Sequence, residues 1–243
     1  MERGNAYTIF FAALICVIAS LSLTFVTQKL EPYKTANELA YQRKNILLAF
    51  GMDGTELAKM KNDAINDLYT QRIEELVLHK DGYLVPDRTV ASLKPDENAS
   101  DKDLLALYQF KADGAIAGYA LPIVGKGLWS TLYGYLALEK DLNTVLGITF
   151  YKHGETPGLG GEISEAWFQE NFRGKKILDA DGKLRSISVV KGLVHERIHD
   201  EGQKRHFVDG ISGATITSKG VTAMLAETLE IYQAYFSKLR GGM

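Results

Sequence analysis

The stretch Asp209-Gly210-Ile211-Ser212-Gly213-Ala214-Thr215-Ile216-Thr217-Ser218 leads from glycine and hydroxyl residues directly into an apolar helical pattern. The apolar and hydroxyl residues that follow recur mostly every three or four positions: Val221, Met224, Leu225, Thr228, Leu229, Tyr232, Tyr235 and Phe236. This spacing predicts a C-terminal amphipathic helix. Small residues before a helix let backbone N–H groups approach an anion, and the helix N-terminus favours negative charge. The stretch therefore predicts a phosphate site containing a nucleophilic hydroxyl. The alternative is a simple cap, in which Thr217 or Ser218 only starts the helix.

The region before this stretch has the pattern of a sheet. Four apolar runs, most of them near glycines, predict strands in a largely antiparallel arrangement: Ala115–Ile123, Thr131–Leu138, Val145–Lys152 and Arg185–Lys191. We expect a helix around Ser164–Phe172 and the C-terminal helix to cover one face of this sheet. The predicted fold class is α+β.

The N-terminal segment Ala6–Thr27 contains no charged residue. About 22 helical residues span roughly 33 Å, which matches a hydrocarbon core of about 30 Å. We therefore predict a single transmembrane helix, with Pro32 marking its exit. A cleaved signal peptide is the alternative, but the apolar run is long and no clear small-x-small cleavage site follows it.

The segment between anchor and sheet is predicted to be mainly helical. We expect helices over Ala36–Phe50 and Thr55–His79, a short strand at Tyr83–Val85 and a polar surface loop over Asp87–Lys102. The predicted organisation is an anchor over residues 1–34, a helical juxtamembrane and peripheral region over 35–110, and the sheet domain over 111–243.

Bulk composition excludes several classes of function. The net charge of the 243-residue chain is −2 and no long basic run is present, so nucleic acid is not expected as a partner. The only cysteine, Cys16, cannot form an intrachain disulfide or build a cysteine-based metal cluster alone.

Four parts of the sequence carry resemblances to known flavoproteins. The stretch DGISGATITS resembles the flavinylation motif of bacterial flavoproteins, in which FMN is joined by a phosphoester to the threonine that corresponds to Thr215. The stretch from Gly125 to Ile163, the QRKNIL stretch at Gln42–Leu47 and the N-terminal apolar segment are similar to the C subunit of the Na+-translocating NADH:quinone oxidoreductase. The resemblance covers nearly the whole chain.

This resemblance implies a covalent FMN-binding domain in an electron-relay subunit that has no complete active site or catalytic residues of its own. The flavin would be attached to Thr215 by a separate transferase. It would take an electron from an iron–sulfur centre in the membrane subunits and pass it to a second covalent flavin on the B subunit. Other subunits would bind NADH and ubiquinone and move sodium. The domain would face the periplasm from the bacterial inner membrane, although the basic residues after the span, taken literally, place it in the cytoplasm.

The resemblance also suggests further cofactor-binding residues. Around Thr215 these are Ser212, Gly213, Ala214 and Thr217; in the glycine-rich loop His153–Gly161 they are Glu155, Thr156, Gly158 and Leu159; elsewhere they are Trp129, Ser130 and Lys191. Each has an ordinary alternative, since a tryptophan commonly packs in a core and a lysine is commonly solvated.

Other functions remain open at this point. The G subunit of the related Rnf electron-transport complex shares the Ser-Gly-Ala-Thr motif and would use the same FMN. The segment His195-Glu196-Arg197-Ile198-His199 satisfies the HExxH zinc signature, which would suit a membrane-anchored hydrolase if a helix placed both histidines on one face. An anchored assembly protein with no cofactor is a further alternative.

Overall fold

The first of two compact units is built on a long N-terminal helix. The structure, a computed structural model, describes residues 4–93 and 103–241. The chain divides into units of residues 1–41 and 42–243. Helix α1 (Asn5–Ala49) begins in the first unit and ends in the second. By length and composition it is able to cross a membrane, and its most apolar window is not buried by the protein.

Helix α1 is longer than expected. The prediction that Ala36–Phe50 forms a separate helix after Pro32 is wrong, because α1 continues through Pro32. A proline inside a helix removes one backbone hydrogen bond, but the helix-forming residues on both sides preserve the remaining ones. The predicted end of that helix near Phe50 is confirmed: α1 ends at Ala49, and Gly51, at φ +83°, donates its N–H to the carbonyl of Leu48 at 2.8 Å.

The second unit is built on an antiparallel sheet with the strand order β2-β1-β3-β4-β5-β6. The strands are β1 (Ile73–His79), β2 (Tyr83–Leu84), β3 (Leu104–Ala112), β4 (Ala115–Lys126), β5 (Thr131–Glu139) and β6 (Val145–Lys152). The three predicted strands that correspond to β4, β5 and β6 are confirmed. The fourth predicted strand, at Arg185–Lys191, is much shorter than expected and lies outside the main sheet. Only β7 (Ser188–Val189) forms there, and it pairs in parallel with β8 (Phe207–Val208) in a separate small sheet.

The prediction of one helix over Thr55–His79 is wrong at its C-terminal end. Helices α2 (Gly54–Lys59) and α3 (Asn62–Arg72) are followed directly by strand β1. Strand β1 pairs with β3 along its whole length, from Ile73 opposite Phe110 to His79 opposite Leu104. The apolar residues of this segment fit the spacing of a helix as well as that of a strand, and hydrogen bonding with β3 favours the strand.

Helices cover both faces of the sheet. On one face, Leu132, Leu136 and Leu138 of β5 pack with apolar residues of α7 (Thr215–Gly241) and α4 (Ala166–Glu170). On the other face, Tyr135 and Ala137 pack with the C-terminal residues of α1 and with α2 and α3. Successive side chains of a strand point to opposite faces, which explains this division. The expected covering of one face by α4 and α7 is confirmed, and the second helical layer is a finding of the structure.

The remaining described segments are short. Residues Val90–Ser92 and Gly160–Ser164 form 3-10 helices, and α5 (Val194–Arg197) and α6 (Glu201–Lys204) are single turns. The surface loop predicted over Asp87–Lys102 lies outside the described residues from position 94 onward.

Candidate functional site

The glycine and hydroxyl stretch forms the turn that starts helix α7. Gly213 lies in the left-handed region at φ +75°, and the carbonyl of the buried Ala214 accepts the N–H of Ser218 at 2.9 Å. Thr215 is the first residue of α7 and is exposed, whereas Thr217 is 1 % exposed. The two threonines therefore have different surroundings although they lie about half a turn apart.

Asp209 and Gly210 attach this turn to the segment that carries Lys191. The backbone N–H of Val194 donates to Asp209 Oδ1 at 2.6 Å, and the N–H of Gly210 donates to the carbonyl of Gly192 at 2.8 Å. A Cβ on Gly210 would lie 2.0 Å from the carbonyl oxygen of Val190, so only glycine permits this approach. Asp209 thus has a structural role, since its carboxylate fixes the chain beside Lys191.

A small pocket opens beside Thr215. Its volume is about 90 Å³, and its lining consists of Val189, Val190, Lys191, Ile211, Thr215, Ser218 and Lys219. Pockets for whole small-molecule ligands are typically about 300–1,000 Å³, so this one suits a group the size of a phosphate. The Ser218 side chain is 5 % exposed, and its Oγ has no hydrogen-bond partner among the described residues. A buried hydroxyl without a partner is costly, which marks the pocket as a place for a polar ligand.

Glu155 lies beneath the site rather than at its surface. Its Oε1 accepts the backbone N–H groups of Trp129 at 2.9 Å and Ser130 at 3.2 Å. Its Oε2 accepts the N–H of Leu128 at 3.1 Å and the hydroxyl of Thr217 at 2.6 Å. Burial by itself raises the pKa of the Glu155 carboxyl, but the hydrogen bonds from Thr217 and the three backbone amides outweigh it and hold that pKa below its usual range.

The glycine-rich loop after β6 reaches the start of α7. The carbonyl of Thr156 accepts the N–H groups of Leu159 at 3.1 Å and Gly161 at 2.9 Å, which closes the loop into a tight turn. Gly158, at φ +75°, forms its exposed tip. A Cβ on Gly213 would lie 2.7 Å from Leu159 Cδ2, so the loop touches the Ser-Gly-Ala-Thr turn directly.

Trp129 lies in the turn between β4 and β5, and 72 % of it is exposed. Its backbone is fixed by Glu155, and the adjacent Ser130 accepts the N–H of Gly154 at 2.5 Å through its Oγ. The ordinary alternative of a core tryptophan does not apply to Trp129. An exposed indole on a well-anchored backbone is suited to contact a flat ligand or a partner protein.

The structure joins most of the predicted residues through these contacts. Thr215 and Lys191 share the pocket, Gly213 touches Leu159, and Glu155 connects Thr217 with Trp129 and Ser130. Sequence reasoning missed Ser218 and Lys219. They lie three and four residues after Thr215 on a predicted helix, and this spacing places them on the same helix face as Thr215. The spacing was the sequence signal that could have identified them.

The HExxH segment does not have the geometry of a zinc site. Helix α5 ends at Arg197, Ile198 is extended, and His199 therefore lies beyond the helix. Within residues 4–93 and 103–241, no group of three or more His, Cys, Asp or Glu side chains is placed to hold a metal ion. The helix that would bring both histidines to one face is not formed.

Comparisons with known proteins agree with the resemblance. The profile of the FMN-binding domain matches residues 127–230. The C subunit of the Na(+)-translocating NADH-quinone reductase from Pseudomonas aeruginosa is 34% identical over 265 residues, covering 99% of this chain and 98% of that protein. The same subunit from Haemophilus ducreyi is 35% identical and covers 88% of this chain and 85% of the relative.

Solved structures show the same likeness. A crystal structure of the C subunit from Parabacteroides distasonis has a TM-score of 0.73 and 32% sequence identity, covering 86% of this chain and 97% of that one. The Shewanella oneidensis protein has a TM-score of 0.71 and 29% identity, covering 86% and 99%. This chain therefore belongs to the family formed by the C subunits of the Na+-translocating NADH-quinone reductases and carries their FMN-binding domain.

Proposed function

We propose that the Thr215 hydroxyl carries FMN through a phosphoester bond and that the chain relays electrons through this flavin inside the reductase complex. The observation that supports the proposal is the pocket beside Thr215. The exposed Thr215 lines a cavity of about 90 Å³, and the same cavity is lined by the buried Ser218, whose Oγ lacks a partner among the described residues.

The charges around the pocket suit a phosphate diester. Lys191 and Lys219 both line it, and Thr215 stands at the N-terminus of the 27-residue helix α7. Unpaired N–H groups at a helix start and the helix dipole stabilise an anion there. The residues present therefore fit the phosphate end of FMN, with Ser218 as a hydrogen-bond donor to it.

Thr215 is a better acceptor than Thr217. The Thr217 hydroxyl is buried and donates to Glu155 at 2.6 Å, so it is neither accessible to a transferase nor free to react. Thr215 is exposed at the surface of the domain. The alternative in which Thr217 carries the flavin would break the contact that holds the first turn of α7.

FMN bound here would supply reversible electron transfer, while the residues of the chain hold and orient it. The pocket has no room for the flavin ring, so the ring would lie outside it. We propose that the exposed Trp129, Thr156, Gly158 and Leu159 contact the ring, and that Ser212 and Ser130 provide hydrogen bonds. An exposed ring suits exchange of electrons with other subunits.

The location of the domain and its partners are part of the same proposal. Helix α1 would anchor the chain in the bacterial inner membrane, with the FMN-binding domain on the periplasmic side. The partners would be the other membrane and flavin subunits of the complex. The division into residues 1–34, 35–110 and 111–243 remains a prediction.

Flavin attachment can be tested on the full chain coexpressed with its flavin transferase. Thr215→Ala should abolish flavin fluorescence in a denaturing gel and the mass increase of the tryptic peptide that contains residue 215. Thr55→Ala is the matched control, because Thr55 is also an exposed threonine in the first turn of a helix. It should retain full fluorescence.

Two results would contradict the proposal. One is flavin fluorescence that survives in Thr215→Ala. The other is an unmodified residue-215 peptide from wild-type protein that fluoresces.

A further inference from the structure

Three separate segments of the FMN-binding domain meet at the carboxylate of Glu155. The first is the turn Leu128–Ser130, which supplies three backbone N–H groups. The second is the first turn of α7, which supplies the Thr217 hydroxyl. The third is the loop after β6, to which Glu155 itself belongs. Both carboxylate oxygens accept two hydrogen bonds each, so Glu155 is an internal connection and not a ligand that faces solvent.

The surrounding backbone is shaped to fit this carboxylate. A Cβ on Gly127 would lie 2.6 Å from Glu155 Oε1, and a Cβ on Gly160 would lie 2.8 Å from Oε2 and 2.5 Å from Thr217 Oγ1. Atoms do not normally approach so closely, so alanine at either position would displace the carboxylate. The two glycines allow the segments to close around Glu155, which is 5 % exposed.

The groups that hydrogen-bond to the Glu155 carboxylate are all donors. Three amides and one hydroxyl point at its oxygens, and such an arrangement favours the ionised form of a carboxyl group. The lowered pKa of Glu155 agrees with this geometry and keeps the group charged at neutral pH. The negative charge of Glu155 is therefore held close to the start of α7, in contact with the hydroxyl of Thr217, two positions after Thr215.

We propose that Glu155 is the positioning residue of the flavin tether: its charged carboxylate holds the Trp129 turn and the first turn of α7 in register, and its charge lowers the midpoint potential of the flavin attached there. The second part rests on the proposed function. Reduction adds negative charge to the flavin, and a fixed anion nearby opposes that change.

The substitution Glu155→Gln removes the negative charge but keeps the size of the side chain. In Glu155→Gln the amide oxygen can still accept from Trp129 and Ser130. The amide nitrogen then faces the N–H of Leu128, so two donors oppose each other and the Leu128 amide loses its partner. An N–H that loses its acceptor and faces another donor is unfavourable, so the turn should open more often.

The positioning role is tested in the flavin-free Thr215→Ala background, so that its outcome does not depend on flavin attachment. In this background Glu155→Gln should accelerate amide hydrogen exchange of Leu128 by about tenfold or more. Thr217→Val should accelerate exchange in the first turn of α7, and Thr217→Ser should restore protection. Glu165→Gln, which removes the same charge from an exposed glutamate, is the control and should leave exchange unchanged. Unchanged protection of Leu128 in Glu155→Gln would overturn the positioning role.

The electrostatic role is tested in the flavin-loaded full chain. The midpoint potential of the flavin, measured by redox titration of its absorbance, should be more positive in Glu155→Gln than in wild type and in Glu165→Gln. An equal or more negative potential in Glu155→Gln would overturn this part of the proposal. If the proposed attachment to Thr215 fails, the exchange experiment still decides whether Glu155 holds the two turns together.

Discussion

Gly220 in helix α7 is the position at which helix propensity and packing predict opposite results for a substitution by alanine. In an exposed helix, glycine to alanine stabilises by about 1 kcal/mol. At Gly220 the added Cβ would lie 2.2 Å from the carbonyl oxygen of Lys126 and 3.4 Å from Gly127 Cα. Contacts shorter than 3.0 Å are essentially never seen for a real Cβ, and the obstacle is backbone on the neighbouring strand. Either α7 or the end of β4 has to move by about 1 Å, which is a form of overpacking.

The cost of overpacking outweighs the propensity gain. Inserting a methyl group into a closely packed contact costs about 1–3 kcal/mol, and a backbone obstacle belongs at the upper end of that range. After subtraction of about 1 kcal/mol for propensity, Gly220→Ala should destabilise the domain by about 1–2 kcal/mol. For a domain of about 200 residues this corresponds to a fall in Tm of roughly 2–8 °C.

The assay is thermal unfolding of the purified full chain, followed by circular dichroism. Gly241→Ala is the matched control, because Gly241 also belongs to α7 and nothing lies within 4 Å of its added Cβ. This control should change stability by less than about 0.5 kcal/mol. A Tm for Gly220→Ala equal to or above that of wild type would refute the contact between α7 and β4. Since the strand end leads into the Trp129 turn, we also expect lower flavin occupancy in Gly220→Ala.

Two further predictions concern buried polar groups. The pKa of Glu155 is lower in the folded chain than its usual value of 4.5. The stabilisation by its charged carboxylate is therefore complete above pH 4.5 and is lost as the pH falls through the lowered folded pKa. Compared with wild type, Glu155→Gln should show a smaller loss of Tm between neutral pH and a pH of about 3, and an identical acid profile would contradict the role of the charged carboxylate. The Tyr232 hydroxyl donates to the carbonyl of Ala106 at 2.5 Å inside the core, so Tyr232→Phe should destabilise by about 1–2 kcal/mol in urea unfolding, and an unchanged midpoint would show that this bond contributes nothing.

The strands that sequence predicts best are those whose ends are marked by glycine or by polar turns. Strands β4, β5 and β6 have long apolar runs separated by short turns, and their assignment does not depend on distant partners. Strand β1 is missed because its residues suit a helix as well as a strand. Its conformation is decided by pairing with β3, a segment about 30 residues away that the sequence pattern does not mark as a strand either. Such long-range pairing leaves no local signal.

The residue types of the candidate site are predictable from sequence, but their roles are not. The motif identifies Thr215, and the structure places it at the exposed helix start beside a pocket. The resemblance suggests that Glu155 of the glycine-rich loop binds the cofactor, whereas its side chain points into the protein and accepts hydrogen bonds from backbone amides. Which way a loop side chain turns depends on the donors that other segments bring to it, and those segments are distant in sequence.

The HExxH segment shows why a short motif needs its structural context. Zinc binding through this motif requires two histidines one helical turn apart on the same face. Here the single turn of α5 is fixed at its start by Asp209, which belongs to the stretch that resembles the flavinylation motif, and it ends before His199. Its contacts hold the chain beside Lys191, since Val194 donates to Asp209 and Arg197 Nε donates to the Lys191 carbonyl at 3.1 Å.

The glycines of the site show how the domain could hold the proposed tethered cofactor in a defined position. A flavin joined to Thr215 through its phosphate, as proposed, would have many rotatable bonds between tether and ring, so its orientation would depend on a rigid surface around Thr215. Gly127, Gly160 and Gly220 each occupy a place where a Cβ would be within 2.6 Å of an atom of another segment. They bring β4, the loop after β6 and α7 into direct contact around one buried carboxylate. The exposed residues above it, Trp129 and Leu159, then stand on a frame whose backbone is fixed by hydrogen bonds and close packing. Under the proposed function, this frame, and not a deep pocket, would hold the flavin while leaving its ring accessible to other subunits.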